Sequence, residues 1–317
     1  MASANSRTEK DAKVIESNAE AGDYSTEGNL PAVKPQGALT VGEFDFAADA
    51  GGGMEGATFD SFAIPFLIIL QKGSPQCDEA SGKAIPGARQ GMFYNTVTGK
   101  LYDTSEKPLV FVPCAYKRTF IHWGARAAGG KFKGELTEQD VIELRRTNQL
   151  REFEMKLLFP LPNGDISEKM SDRVSDTRNH YGFILEDDGS WQQALMSLAS
   201  SQIKHSRNLM AQLGSQKIRG QNGLMFQPPT WANKVYITSI PEKNDKGTWM
   251  GFNFHIPEGP AGKVDRRDVY DAGKEFSQSV KQGSVTTNYQ NLEENQPRED
   301  ESVASGPIGP GAGENKF

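Results

Sequence analysis

The sequence predicts an α+β protein with a small, strand-rich, barrel-like core, accessory helices and disordered termini. Three observations predict it. Short segments rich in Val, Ile, Phe, Tyr and Thr recur between Gly, Pro, Asn and Asp turn signals. Two stretches carry the periodicity and capping signals of helices. Both ends of the 317-residue chain are polar, acidic and aperiodic.

The ordered region opens near Phe59-Asp60-Ser61-Phe62 and runs into an apolar stretch, 62–70, that fits a buried strand or one helical turn. Met92-Phe93-Tyr94-Asn95 and Lys100-Leu101-Tyr102-Asp103, separated by Thr98-Gly99, read as a hairpin. Leu109 to Trp123 is a long extended segment with Pro113 in its middle, which favours an edge strand or a bulge. Thr137 followed by Glu138, Gln139 and Asp140 predicts a helix N-terminus, and the helix should end before the Phe159-Pro160-Leu161-Pro162-Asn163-Gly164 turn signal. Tyr181 to Leu185 reads as a strand closed by Asp187-Asp188-Gly189.

Ser190 with Gln193 predicts a capping box and a long helix over 190–213, with Trp191, Leu195, Leu198, Ala199, Leu209, Met210 and Leu213 on one face and Ser200, Lys204, Arg207 and Ala211 opposite. Lys234–Ile240 and Thr248–Ile256 read as paired strands around a loop ending Asp245-Lys246-Gly247. Six or more strands with two helices point to a closed or nearly closed barrel such as the OB type.

Charge is distributed unevenly along this order. The formal net charge of −6 argues, as an average, against a polyanionic partner. Residues 1–60 hold four basic and eleven acidic residues and predict a disordered acidic arm, because such a stretch buries too little to offset about 1–2 kcal/mol of backbone entropy per residue. Residues 271–317, with four basic and eight acidic residues, predict a disordered acidic tail. The intervening region, 61–270, expected to be an OB-like core, is left at +5, the sign a nucleic-acid-binding core would need.

Several function classes lose support. No Gly-x-Ser-x-Gly elbow, dinucleotide fingerprint or Walker loop occurs, and Gly129-Gly130-Lys131 is followed by Phe132 rather than Ser or Thr. His122, His180, His205 and His255 are scattered without metal-ligand spacing, and Cys77 and Cys114 read as small fillers. Asp187-Asp188 fits a turn better than a metal-binding pair. The expectation is therefore a non-enzyme without cofactor or metal. The longest apolar run has nine residues where a membrane helix needs ~20, and the charged N-terminus lacks a secretory signal, so no membrane association and a cytoplasmic location are expected.

Two windows of the core contain no carboxylate at all. Within 107–134, Tyr116, Lys117, Arg118, Phe120, Trp123, Lys131 and Lys133 interleave rings with cations; within 190–240, Lys204, Arg207, Lys217, Arg219, Phe226, Trp231, Lys234 and Tyr236 do the same. Cations that track phosphates beside rings that stack on bases, at about 1–3 kcal/mol per base, are the pattern of single-stranded nucleic-acid binding; duplex binding does not need the rings. An acidic tail tethered to such a surface competes with phosphate at an effective concentration in the ~mM range. The run Glu299-Asp300-Glu301 and the terminal Phe317 are the candidate partner-binding elements of that tail.

The residues Gln202-Ile203-Lys204-His205-Ser206-Arg207, Gly220-Gln221-Asn222-Gly223-Leu224, Pro228-Pro229, Val235-Tyr236 and Asn244-Asp245-Lys246-Gly247-Thr248-Trp249 form part of a wider pattern. Together with Ile64-Pro65 through Ser74-Pro75 and Gly91 through Gly99, it resembles tailed-bacteriophage single-stranded-DNA-binding proteins of replication and recombination modules. The likeness covers roughly 60–260. It implies an OB-like core, DNA binding without catalysis, and action in the host cytoplasm beside replication or recombination proteins docked through the acidic tail. Here the acidic run stands upstream of Phe317, across a Gly/Pro spacer. The alternatives are a virion or scaffold structural protein, and a strand annealer or nuclease of recombination; oligomeric state is not legible.

Overall fold

The computed structural model describes residues 52–58, 61–245, 247–293 and 295. The chain divides at Glu55 into two units, and the second, 56–317, carries every element named below. The acidic arm expected over 1–60 lies almost wholly outside the described residues.

In chain order the elements are β1 (Leu67–Ile69), β2 (Phe93–Asn95), β3 (Leu101–Tyr102), β4 (Leu109–Trp123), β5 (Phe132–Leu136), α1 (Glu138–Arg146), β6 (Arg151–Phe153), β7 (Lys156–Leu158), β8 (Arg173–Leu185), β9 (Trp191–Ala199), α2 (Ile203–Ser215), β10 (Ile218–Arg219), β11 (Met225–Phe226), β12 (Val235–Asn244), β13 (Gly247–His255), α3 (Arg267–Gln282) and α4 (Tyr289–Glu293). The fold is α+β and dominated by strands. Its main sheet is a curled half-barrel whose antiparallel path runs β13-β12-β4-β8-β7-β6, with β5 added to β4 and β9 to β8. The β4 and β8 strands form its spine. Their register shifts between Pro113 and Ala115, the bulge that is one of the two outcomes a mid-strand proline predicts; the other, an edge strand, does not hold, since β4 pairs with β12, β5 and β8.

Curling brings β1 to the open side. Phe66 bridges Leu195 in parallel, and Leu195 N donates to Pro65 O at 2.9 Å. The outward edge of β13 is sealed by three glutamine side chains. Gln71 accepts from Met250 N at 2.8 Å and donates to Met250 O at 2.9 Å, Gln202 accepts from Phe252 N at 3.2 Å, and Gln212 donates to Phe254 O at 3.0 Å and accepts from Ile256 N at 3.3 Å. The alternate residues 250, 252, 254 and 256 thus find partners without another strand, which removes a template for edge pairing.

Both faces of the sheet are buried. The inner face, with Phe111, Met196, Val235 and Ile237, is packed by α2 through Leu209 and Leu213 and by Phe93 of β2; the outer face, with Val112, Phe183 and Leu195, is covered by α3 through Val269 and Phe276 and by Phe66. This double burial explains the largest departure from the sequence reading. Residues 191–199 are a strand of nine register pairs against β8, not the first half of a helix. Ala194, Met196 and Leu198 point into the inner core and Leu195 into the outer one, so apolar residues fall at 194, 195, 196 and 198 and imitate a helical stripe. Ser190 is no helix cap: its N donates to Asp188 Oδ1 at 2.8 Å in the β8–β9 turn, where Gly189 has φ +84°. The turn reading of Asp187-Asp188-Gly189 agrees with this. The helix starts only at Ile203, after Ser200 at φ +51° and a short 3₁₀ turn.

Other elements follow the expectations more closely. Thr137 caps α1 in a full capping box with Asp140, although the helix ends at Arg146 and gives way to the β6–β7 hairpin, which the sequence pattern did not reveal. The expected hairpins at 92–103 and 234–256 are present. The expected disordered tail from 271 is corrected over its first part. Helix α3 crosses residue 270 and buries Gly273 and Phe276, and α4 buries Tyr289 and Leu292. An acidic segment reads as tail by composition, yet one apolar stripe per turn is enough to dock it.

Candidate nucleic-acid interface

The first carboxylate-free window, 107–134, spans the whole of β4, the turn after it and the start of β5. Tyr116, Lys117 and Arg118 are exposed there, but the fold surrounds them with acids from elsewhere. Arg118 donates from Nε and Nη2 to the two Asp176 oxygens at 3.0 and 2.9 Å, and from Nη1 to Glu138 at 2.6 Å. Lys117 pairs with Glu135 at 3.5 Å; Lys133 pairs with Asp172 at 2.5 Å, a carboxylate shared with His122 at 3.0 Å. Antiparallel pairing puts residues some sixty positions apart side by side, so a stretch without acids in sequence is not without them in space. Lys131 is exposed and has no ion pair among the described residues.

Two of the window's rings cannot present a face to a base. Phe120 and Trp123 are each 5 % exposed: Phe120 packs with Val141, Leu150 and Val174, and Trp123 meets Phe132 edge-on at 5.9 Å under the Arg173 guanidinium. Their assignment as stacking residues is corrected; they are core, since alternate residues of a strand buried on both faces must be. Tyr116 remains open, with its ring 5.2 Å from that of His180.

The second window divides. Lys204 is drawn to Glu242 at 2.6 Å, and Glu242 also accepts from His205 Nε2 at 2.6 Å and Trp249 Nε1 at 2.8 Å. Burial opposes ionisation of Glu242, but the hydrogen bonds from Lys204 and His205 outweigh it and hold the carboxyl below its ordinary range. Lys234 pairs with Asp265 at 2.6 Å. Trp231 is half-buried against Tyr270 and Gly273 of α3, and Tyr236 is half-buried in β12.

What is left forms a distinct surface. Strands β10 and β11 make a two-stranded ribbon, Ile218 opposite Phe226 and Arg219 opposite Met225, closed by the expected Gly220–Gly223 turn with Gly223 at φ +78°. Phe226 is 46 % exposed, and its neighbours Leu224 and Met225 are more so. Lys217 and Arg219 on the ribbon and Arg207 on α2 are exposed and have no carboxylate partner among the described residues. Lys263, which the sequence reading missed, adds a fourth cation: its Nζ donates to Gln216 Oε1 at 2.8 Å and Asn233 Oδ1 at 2.6 Å, both neutral, and burial lowers its pKa. Three consecutive apolar residues exposed beside uncompensated cations are an unusual use of surface. The sequence signal for Leu224 and Met225 was present in their position after a Gly-x-x-Gly turn, where no second face exists to bury them. Glu299, Asp300, Glu301 and Phe317 lie outside the described residues.

Behind Tyr116, His180 is fully buried and hydrogen-bonded to Ser206 Oγ at 2.7 Å, and burial pushes its pKa down to about 3. The folded state therefore holds this ring neutral, while the unfolded chain protonates near pH 6.5. The contribution is present above ~6.5 and is lost as pH falls. Urea unfolding should show a stability loss of about 2 kcal/mol between pH 7.5 and 5.0, and the loss should shrink markedly in His180→Asn. An equal loss in that variant would place the dependence elsewhere.

Among the described residues no group of three or more His, Cys, Asp or Glu side chains could hold a metal ion, and no helix is long and apolar enough to cross a membrane. No curated protein and no solved structure matches the chain. A family model described as Pam3 phage gp34-like protein matches residues 36–286, most of the sequence, and the chain belongs to this phage protein family.

Proposed function

We propose that the protein binds single-stranded DNA without catalysis, in phage DNA replication or recombination within the host cytoplasm. The observation that carries this reading is the β10–β11 ribbon, where Arg219 and, just before β10, Lys217 have no carboxylate partner among the described residues while Phe226 stands exposed beside them; Arg207 of α2 is likewise unpaired among the described residues. Phosphate tracking and base stacking need that combination, and a duplex-binding surface does not need the ring. Membership of a phage family is consistent with the setting. The curled sheet, with β1 brought to its open side, supports the finer reading of an OB-type barrel, in which a ribbon projecting from the strands meets the nucleic acid. The acidic segment after residue 295 competes with DNA for the same cations and offers a docking element for replication or recombination proteins.

The ion pairs of the first window bear on mechanism. Exposed pairs such as Lys117–Glu135 are worth only about 0–1 kcal/mol, so phosphate can displace the carboxylates, but the gain is smaller than from cations with no partner. The ribbon therefore anchors the strand and Tyr116 with Lys117 extends the contact. Titration of a dT oligonucleotide of about 30 nucleotides should quench tryptophan fluorescence, favour single over double strands, and weaken steeply between 50 and 200 mM salt. A chain ending at residue 295 should bind more tightly. Negligible affinity at 50 mM salt would overturn the reading in favour of a virion or scaffold role.

A further inference from the structure

The ribbon and Tyr116 stand at the two ends of one helix. The ribbon follows directly on the C-terminus of α2, which ends at Ser215, two residues before Lys217. Tyr116 belongs to the other end: its ring lies 5.2 Å from that of His180, and His180 Nε2 is 2.7 Å from the hydroxyl of Ser206 in the first turn of α2. Between them α2 runs for 13 residues, about 20 Å at a rise of 1.5 Å per residue. Burial fixes which side of this helix meets solvent. Leu209 and Leu213 join the inner core, with His205 and Ser206 buried on the same side. Lys204, Arg207, Asn208, Ala211, Gly214 and Ser215 are left exposed, within about 120° of arc at 100° per residue. No Asp or Glu occurs in α2 or in the ribbon. Glu242 compensates Lys204, but Arg207 has no carboxylate partner among the described residues, and neither have Lys217 and Arg219 beyond the helix. Lys263 brings a further positive charge to that end, tied to the neutral amide of Gln216 just after α2.

We infer that a single strand lies along this face of α2, with its phosphates beside Arg207, Lys217 and Arg219 and its bases reaching Phe226 at one end and Tyr116 at the other. The inference rests on the single-strand reading proposed above and gives it a path and a length. Arg207, Lys217 and Arg219 follow one another from the helix into the ribbon, so a strand on this course meets uncompensated cations from the middle of α2 onward. The small side chains of Ala211, Gly214 and Ser215 keep the floor between those cations low, and nothing lies within 4 Å of a methyl added at Gly214. A course of about 20 Å accommodates about four nucleotides or more, the lower part of the range that such sites occlude.

Ala211 is the position that tests the path, because it is exposed in the middle of the face and belongs to neither end. Ala, Glu and Lys are all strong helix formers, so either substitution keeps the helix. The experiment titrates the full chain with a dT oligonucleotide of about 12 nucleotides near 50 mM salt. In Ala211→Glu the new carboxylate stands one turn from Arg207 and should lower affinity about tenfold. Ala211→Lys should raise affinity several-fold and steepen the plot of log K against log salt by about 0.7. Gln278→Glu is the control: it adds the same charge to an exposed position of α3, on the other side of the sheet, and should leave affinity within about twofold. Equal losses in Ala211→Glu and Gln278→Glu would reduce the effect to net charge and overturn the path. Parent-like affinity in Ala211→Glu, measured beside a Lys217→Ala, Arg219→Ala, Phe226→Ala triple variant that binds weakly, would also overturn the path and leave the ribbon reading standing. Negligible affinity of the parent chain for the oligonucleotide would overturn the ribbon reading itself, and the path with it.

Discussion

Replacing Lys217, Arg219 and Phe226 together with alanine is expected to lower affinity for single-stranded DNA by about two to three orders of magnitude near 50 mM salt. Each cation releases roughly one counterion from the strand on binding, so losing two should flatten the plot of log K against log salt by about 1.4 units. Removing a ring that stacks on one base should cost a further ~1–3 kcal/mol that is nearly independent of salt. The two contributions are separable by measuring the cation double variant and Phe226→Ala individually in salt titrations. All three side chains are on an exposed two-stranded ribbon outside the core clusters, so far-UV circular dichroism and the melting temperature should stay near those of the parent protein. Parent-like affinity in a folded triple variant would remove the ribbon from the interface. A matched variant of the first window, Lys117→Ala with Lys133→Ala, should have a smaller effect, because Glu135 and Asp172 already compensate those charges.

The second large effect concerns the spine of the sheet. Gly182→Ala is expected to cost about 3 kcal/mol or more, a large fraction of the roughly 5–15 kcal/mol that holds a domain folded, and to lower the melting temperature by many degrees. A Cβ at this position would lie 2.2 Å from Val112 O and 2.4 Å from Phe111 Cζ. Neither neighbour can yield: the carbonyl is part of β4 beside the Pro113–Ala115 register shift, and the Phe111 ring is fully buried in the inner core. Gly214→Ala is the control. It lies in the last turn of α2 with no atom within 4 Å of the added methyl, and should be neutral or stabilising by up to ~1 kcal/mol. Thermal or urea unfolding of the pair decides the matter, and a Gly182→Ala protein melting within a few degrees of the parent would show that β4 and β8 are not locked together as described.

How much could be read in advance varied with what each residue type reports. Thr137 and Asp140 announced α1, Pro113 announced a bulge, and Asp187-Asp188-Gly189 announced a turn, because caps, fixed φ angles and left-handed residues act through bonds to their immediate neighbours. The strand at 191–199 was hidden for the opposite reason. Which of Ala194, Leu195 and Met196 faces which core is set by α2 on one side of the sheet and α3 on the other, and neither partner is visible in nine residues of sequence. The β6–β7 hairpin escaped because its turn is made by Glu154 and Met155 at φ 46° and 62°, residues without a turn signature.

Charge followed the same division. Composition by itself determined that −6 is the sum of acidic ends and a cationic middle, and that the middle has two segments without a carboxylate. It could not determine which cations stay uncompensated. Coulomb interactions depend on distance through space: pairing of β8 with β4 carries Asp176, and Asp172 just before β8, to β4 and β5, packing of α2 against the sheet brings Lys204 to Glu242, and no acid among the described residues reaches Lys217 or Arg219. The same pairing turned Phe120 and Trp123 inward and left Phe226 outside. The sequence thus settled the kinds of residue available and those turns that carry Gly, Pro or Asp signals, while the tertiary structure alone decided which rings and charges remain available to a ligand.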